Sequence, residues 1–177
     1  MKIIVVTGAS SGLGRGFAEA LGARKDIDEV WVIARRTTRL VELENTISAK
    51  IVPISLDLSC NDCIEKYRQI LADKNPEVVA LVNAAGYGRF GEFEHITLSD
   101  QMGMIDLNVA ALTAVTYQTI PYLARGAEVY QIASFSAFLP LPYVSVYAAT
   151  KSYVLSFSRS LRVELANRNA PVSLNLA

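Results

Sequence analysis

Tyr147 and Lys151 stand four residues apart in a stretch of helical character. That spacing puts both side chains on one helix face, about a turn apart. An ammonium beside a phenol favours the phenolate and makes the phenol a usable acid or base near neutrality. Lys151 carries the first charge after 22 uncharged residues, 129–150. Ser134 comes 13 residues before Tyr147, at the end of a short apolar run. Ligands of doubly wound sheets bind at the carboxyl ends of strands, where such a serine would meet them. A Tyr-x-x-x-Lys pair alone is a weak signal, because most such pairs are surface neighbours on a helix.

A second constellation lies at the N-terminus. Ile3-Ile4-Val5-Val6-Thr7 leads into Gly8-Ala9-Ser10-Ser11-Gly12-Leu13-Gly14, and a helical pattern follows. Gly8 permits a tight turn off a strand, Gly12 lets backbone approach a pyrophosphate, and Gly14 lets a helix pack close to the sheet. The helix N-terminus adds free N–H groups and a positive dipole end. The spacing is G-x3-G-x-G, which differs from the standard dinucleotide fingerprint, and no Gly-Lys-Ser/Thr ends it as in a Walker loop. A glycine-rich turn without a ligand is the alternative. An NAD site wants an acid about 20 residues further on, for the ribose 2′-hydroxyl. Ala34 holds that place and Arg35-Arg36 follow. Two guanidinium groups there suit a 2′-phosphate, so NADP(H) is expected ahead of NAD(H). Two solvated arginines at a strand end are the other reading.

These groups need a frame. Short β-branched apolar runs occur at 3–7, 30–33, 51–56, 78–82, 128–132 and 172–176. Helical patterns alternate with them near 12–23, 38–47, 61–74, 98–124 and 147–168. Strands apolar at nearly every position are buried on both faces, which implies a parallel sheet covered by helices. Right-handed crossovers then predict an α/β, Rossmann-like, doubly wound parallel sheet of six strands in the order 3-2-1-4-5-6. Thr97-Leu98-Ser99-Asp100 has capping-box spacing and predicts the start of the long fourth helix.

Composition agrees. The chain has 177 residues, 51% hydrophobic and 19% charged, enough for one domain with a full core. Lys+Arg and Asp+Glu both total 17. No basic excess exists to neutralise a nucleic-acid backbone. The apolar run Ile3 to Val6 is too short for a signal-peptide core or membrane span. Residues 129–150 contain Gln131, Pro140 and Pro142, which argues against a membrane helix. Two cysteines cannot build a disulfide framework, and a cytoplasmic setting is expected.

Together these motifs resemble the short-chain dehydrogenases/reductases, in their single-domain branch. Thr7-Gly8-x3-Gly12-x-Gly14 is similar to that family's cofactor loop. Asp57-Leu58 resembles its adenine-contacting position, Asn83-Ala84-Ala85-Gly86 its fourth-strand motif, and Asn108 its helix asparagine. Ser134, Tyr147 and Lys151 match its catalytic residues in order and spacing. The resemblance implies that Tyr147 exchanges a proton with a carbonyl or alcohol oxygen and that Ser134 hydrogen-bonds the same oxygen. It implies that Lys151 supports Tyr147 and holds the nicotinamide ribose. It implies that Asn108 anchors a water linking Lys151 to solvent, and that Gly8, Ser10, Ser11, Gly12, Leu13, Gly14, Arg35, Arg36, Asp57, Leu58, Asn83, Ala84 and Gly86 surround the cofactor. The hydride belongs to the cofactor.

Departures bear on function. Family members continue past the sixth strand into a Pro-Gly turn, a substrate-covering segment and a seventh strand. Residues 1–177 are read as the NADP-binding domain without that lid, and a site without a lid excludes water poorly. Ser11 stands where NADP-using relatives often carry a basic residue, which leaves the phosphate preference to Arg35 and Arg36. A catalytically idle nucleotide-binding fragment that acts by association is the alternative to an NADP(H)-dependent oxidoreductase. Cys60-Asn61-Asp62-Cys63 has too few partners for zinc and is read as two thiols in a first helical turn. A thiol oxidoreductase is the competing reading. Ser136 competes with Ser134 as carbonyl partner, and the 13-residue spacing to Tyr147 favours Ser134. No metal site is expected, and His95 is read as an ordinary loop residue. Tyr87, Phe90, Phe93, Phe135, Phe138, Leu139 and Tyr143 flank the expected pocket and suggest a small apolar substrate, with ordinary packing as the equal alternative. Ile105, Leu107, Val109, Leu112, Val115 and Tyr117, with Val154, Leu155, Phe157, Leu161 and Val163, are too dense for one helix stripe. That density predicts self-association through the helices near 98–124 and 147–168, as a homodimer at least.

Overall fold

The structure, a computed structural model, describes residues 1–167 and 173–176. Six parallel strands form one sheet in the order β3-β2-β1-β4-β5-β6, as the sequence predicts. They are β1 (Lys2–Thr7), β2 (Glu29–Ala34), β3 (Lys50–Ser55), β4 (Glu77–Asn83), β5 (Leu123–Gln131) and β6 (Ser173–Leu176). The helices are α1 (Gly12–Gly22), α2 (Thr37–Val41), α3 (Asn61–Lys74), α4 (Leu98–Ile105), α5 (Leu112–Thr119) and α6 (Ser145–Ala166). Val172, at the start of the predicted sixth strand, and Arg168, at the end of the predicted last helix, lie outside the described residues.

Strand alternation divides the core into two layers. Ile3, Val5, Trp31 and Ile33 face Tyr67 and Leu71 of α3, Val115 of α5 and Leu161 of α6. Ile4, Val6, Val30 and Val32 face Ala18 of α1, Leu40 of α2 and Leu43 just beyond it. Each Ile, Val or Leu among them contributes about 1.5–3 kcal/mol when fully buried. The layers therefore hold β1 in the middle of the sheet, with its carboxyl end presenting the glycine loop. Among the described residues no helix is long and apolar enough to cross a membrane.

Two predicted helices differ in detail. The pattern at 38–47 folds as the short α2 followed by a 3-10 turn, Glu42–Asn45. Leu40 and Leu43 both point into the core, three residues apart, and a tight turn serves that spacing. The pattern at 98–124 stops early. Thr97 caps α4 by accepting the Asp100 N–H at 3.1 Å, as its spacing predicts. The helix then passes through a π-helical segment, Asp106–Ala111, into α5. Pro121 lacks an N–H and sits in a short turn, Ile120–Tyr122, after which Leu123 already pairs with Val78 in the sheet. Leu123 and Ala124 thus belong to a strand, because an apolar run does not itself distinguish the two states.

The crowding of apolar residues on the last two long helices is largely internal. Leu112, Val115, Val154, Leu155 and Leu161 are buried within the single chain. Ile105, Tyr117 and Val163 remain exposed, and Leu107, Val109 and Phe157 are half-buried.

Candidate active site

A cleft of about 630 Å³ opens along the carboxyl ends of β1, β2, β4 and β5. Strand ends supply it because each crossover leaves its loop there, at the point where strand order reverses between β1 and β4. Gly8, Ser10, Ser11, Gly12, Leu13 and Gly14 line one wall, Arg35, Arg36, Asp57 and Leu58 one end, and Ala84, Gly86, Ser134, Tyr147 and Lys151 the other.

Close backbone approaches shape the loop wall. Gly8 turns off β1 at φ +68°, and a Cβ there would lie 2.7 Å from the Ala84 carbonyl oxygen. A Cβ on Gly14 would lie 2.5 Å from the Gly8 carbonyl oxygen. Both obstacles are backbone, so neither can yield cheaply. The first turn of α1 consequently packs directly on the turn that precedes it. Thr7 joins this wall to the next. Its Oγ1 accepts the N–H groups of Ala84 and Ala85, each at 3.1 Å.

At the arginine end, Arg36 Nη2 donates to Ser10 Oγ at 3.2 Å. Arg35 is largely exposed and its Nη1 stands 4.0 Å from Asp57 Oδ2. Hydrogen bonds from Ser59, with Arg35 nearby, hold the Asp57 carboxyl below its usual range.

At the other end, α6 carries Tyr147 and Lys151 on one face. Lys151 is 7% exposed, and its Nζ donates to the Ile132 carbonyl at 2.7 Å. Burial pushes its ammonium down to about 8. Nζ lies 5.8 Å from the centre of the Tyr147 ring. The ring also packs near Phe90, with centres 6.5 Å apart. A Cβ on Gly88 would sit 2.9 Å from the Tyr147 ring, so only glycine lets the loop pass so close. Ser134 caps the 3-10 turn Phe135–Ala137. Its Oγ accepts the Ser136 N–H at 3.2 Å and the Ser136 hydroxyl at 2.9 Å. Of the two serines, Ser134 lines the cleft and Ser136 is buried behind it.

Two expected site residues stand behind the wall. Asn108 sits in the π-helical segment, a device that recurs at functional sites. Its Oδ1 accepts the Tyr87 N–H, and its Nδ2 donates to the Tyr87 carbonyl and to Thr150 Oγ1. The side chain thus clasps the loop after β4 to α6, beside Lys151. A Cβ on Gly86 would lie 2.8 Å from Asn108 Oδ1. Asn83 is buried and donates to Thr116 Oγ1. Sequence reasoning placed Tyr87 beside the pocket without its backbone bonds to Asn108, and missed Gly88 and Thr150 as partners of this machinery. The only local signal was the Tyr87-Gly88 step next to the fourth-strand motif, and contacts between distant elements define the rest. His95 stands in a surface turn, where its Nδ1 lies 3.1 Å from Glu92 Oε2.

Comparison with known proteins places this geometry. A family model described as short chain dehydrogenase matches residues 2–176. Sulfoacetaldehyde reductase 2 of Chromohalobacter salexigens is 32% identical over 182 residues, covering 97% of this chain and 69% of that protein. The crystal structure of a short-chain dehydrogenase from Streptomyces avermitilis superposes with a TM-score of 0.84 at 31% identity, over 99% of this chain and 64% of that one. A serine dehydrogenase in complex with NADP+ superposes with a TM-score of 0.82 at 27% identity, over 93% of this chain and 67% of that one. The chain thus spans about two thirds of the length of these relatives. With the fold, the glycine loop and the family match in agreement, the chain belongs to the short-chain dehydrogenase/reductase family of oxidoreductases.

Proposed function

We propose that the chain binds NADP(H) and interconverts a carbonyl and a secondary alcohol. The observation that carries this reading is one continuous cleft, with a phosphate-suited end at Ser10, Arg35 and Arg36 and a proton-transfer end at Ser134, Tyr147 and Lys151. The residues fit the cofactor. Gly12 adopts φ +56° with nothing within 4 Å of where a Cβ would stand, which leaves room for a pyrophosphate against the first turn of α1. The serine dehydrogenase solved with NADP+ shares the fold and supports the same ligand class.

When bound, the nicotinamide nucleotide supplies or accepts the hydride. Tyr147 Oη gives the proton to the carbonyl oxygen in reduction and takes it back in oxidation. The Lys151 ammonium, close to the Tyr147 ring, stabilises the phenolate left behind. Ser134 Oγ already accepts two hydrogen bonds from Ser136, so its own proton is free to be donated to the substrate oxygen. Asn108 holds the Tyr87 loop and Thr150 in place, and so orients the wall that carries Lys151.

Phe90, Phe135 and Tyr143 are exposed around this end, which favours a small apolar substrate. Leu98, Met102 and Ile105 on α4, Tyr117 on α5 and Tyr153 and Val163 on α6 are exposed on neighbouring helices, which favours a second copy as their cover. The reading retains the reducing, cytoplasmic setting expected from two cysteines without a disulfide framework.

The test is oxidation of NADPH with a panel of small ketones. The parent chain turns over at least one of them. Tyr147→Phe loses about 100-fold to 10,000-fold of that rate while binding NADPH as before. Near-native turnover in that variant refutes the assignment, and NADPH binding without any turnover in the parent favours a nucleotide-binding fragment.

A further inference from the structure

Cys60 and Cys63 open helix α3, just beyond the Asp57-Leu58 edge of the cleft. Both are free, Cys60 exposed and Cys63 half-buried. The Cys63 N–H donates to the Cys60 carbonyl at 3.0 Å, which closes one turn and puts the two side chains on the same side. Side chains three apart on a helix have Cβ atoms about 5–6 Å apart, and a disulfide needs about 3.5–4.5 Å. Cys60 can make up the difference, because as N-cap it keeps extended backbone angles (φ −104°, ψ 128°) outside the rigid helical ladder.

The two sulfurs are not equivalent. Hydrogen bonds from the Cys63 backbone and thiol, and from the Asp62 backbone, hold the Cys60 thiol below its usual range. Burial and the hydrogen bond to Cys60 push the Cys63 thiol up. One exposed, thiolate-favouring sulfur beside one retained thiol is the division of labour that disulfide exchange requires. A metal is a poor occupant. Among the described residues the one group of three metal-type ligands is Glu92, Glu94 and His95, in a different loop.

We propose that Cys60 and Cys63 form a thiol–disulfide exchange site on the rim of the cleft, with a small-molecule disulfide as oxidant. The Cys60 thiolate attacks one sulfur of that disulfide. A mixed disulfide forms at Cys60 and the first small thiolate leaves, taking up the proton that Cys60 gave up. Cys63 then loses its proton and attacks Cys60 Sγ. The second small thiol leaves with that proton, and an intra-turn disulfide remains. Two protein thiols are oxidised and one small disulfide is reduced to two thiols.

The test uses the reduced full chain and oxidised glutathione under native conditions, read by intact mass and thiol alkylation. The parent loses two hydrogens in mass and both alkylatable thiols, retains no glutathione, and recovers both thiols with dithiothreitol. Cys63→Ser stops with one glutathione attached. Cys60→Ser reacts at least about tenfold more slowly, because the remaining thiol is less exposed and less ionised. A parent that keeps glutathione without closing, two thiols that stay reduced, or a Cys60→Ser variant as fast as the parent would each overturn the proposal. None of these readouts depends on cofactor turnover, so they are independent of the oxidoreductase reading.

Discussion

Ser136 gives Ser134 both of its protons within reach: its backbone N–H at 3.2 Å and its hydroxyl at 2.9 Å. Ser136 is buried and has no place on the cleft wall, whereas Ser134 does. The buried serine thereby fixes the polarity of the one in the cleft. Ser136→Ala removes one hydroxyl hydrogen bond, worth about 1 kcal/mol. Turnover is expected to fall roughly fivefold, with NADPH affinity unchanged. Steady-state kinetics beside calorimetric titration of NADPH separates the two, and a matching loss of cofactor affinity would show a general collapse of the site instead.

Cofactor choice rests on the end of β2. NADPH is expected to bind more tightly than NADH, because Arg35 and Arg36 line the cleft where an acid would serve NAD. Arg35→Asp places a carboxylate near the 2′-phosphate and is expected to reverse the preference, by about tenfold or more. Calorimetry on both nucleotides measures it. Equal affinities in the parent would make the arginines ordinary solvated groups.

Burial of Lys151 makes stability depend on pH. The folded value is lowered to about 8 from the ordinary 10.5. Below pH 8 both folded and unfolded chains carry the charge, and the burial penalty is fully present. Between about 8 and 10.5 the folded chain releases the proton first, so the unfolded chain binds more protons and stability rises with pH. That rise amounts to up to about 3 kcal/mol. Lys151→Met lacks it. Urea unfolding of the cofactor-free parent and variant across this range gives the difference directly, and parallel curves would refute the assigned burial effect.

The exposed apolar side chains of α4, α5 and α6 are expected to meet a second copy about a two-fold axis, the commonest oligomer geometry. A stable interface of that kind buries at least about 1,200 Å². Light scattering at micromolar concentration is expected to give a dimer or larger, and Val163→Glu to weaken it. A parent mass of 19.3 kDa, that of one chain, rules the interface out.

Local pattern alone carried the frame. Ile3 to Val6, apolar at every position, announced a strand covered on both faces, and Thr97 with Asp100 announced a helix start. Both signals lie within a few residues, where backbone sterics and capping decide. The same is true of Gly8, whose positive φ belongs to a turn that follows its strand immediately. Reading along the chain also lined up Ser134, Tyr147 and Lys151, because their order and spacing survive in one dimension.

What pattern could not decide was set by partners far away in the chain. Leu123 became a strand residue because Val78 stood beside it in the sheet. Helical crowding at Leu112 and Val115 turned out to be core contact rather than a spare face. Spacing favoured Ser134 over Ser136 without showing why, and the turn after β5 supplies the reason, with one serine in the cleft and the other behind it. Asn108 likewise found Tyr87 and Thr150 only when the loop after β4 was folded against α6. Hydrogen bonds of this kind act over about 3 Å, a distance that sequence separation does not encode and that the packed chain alone determines.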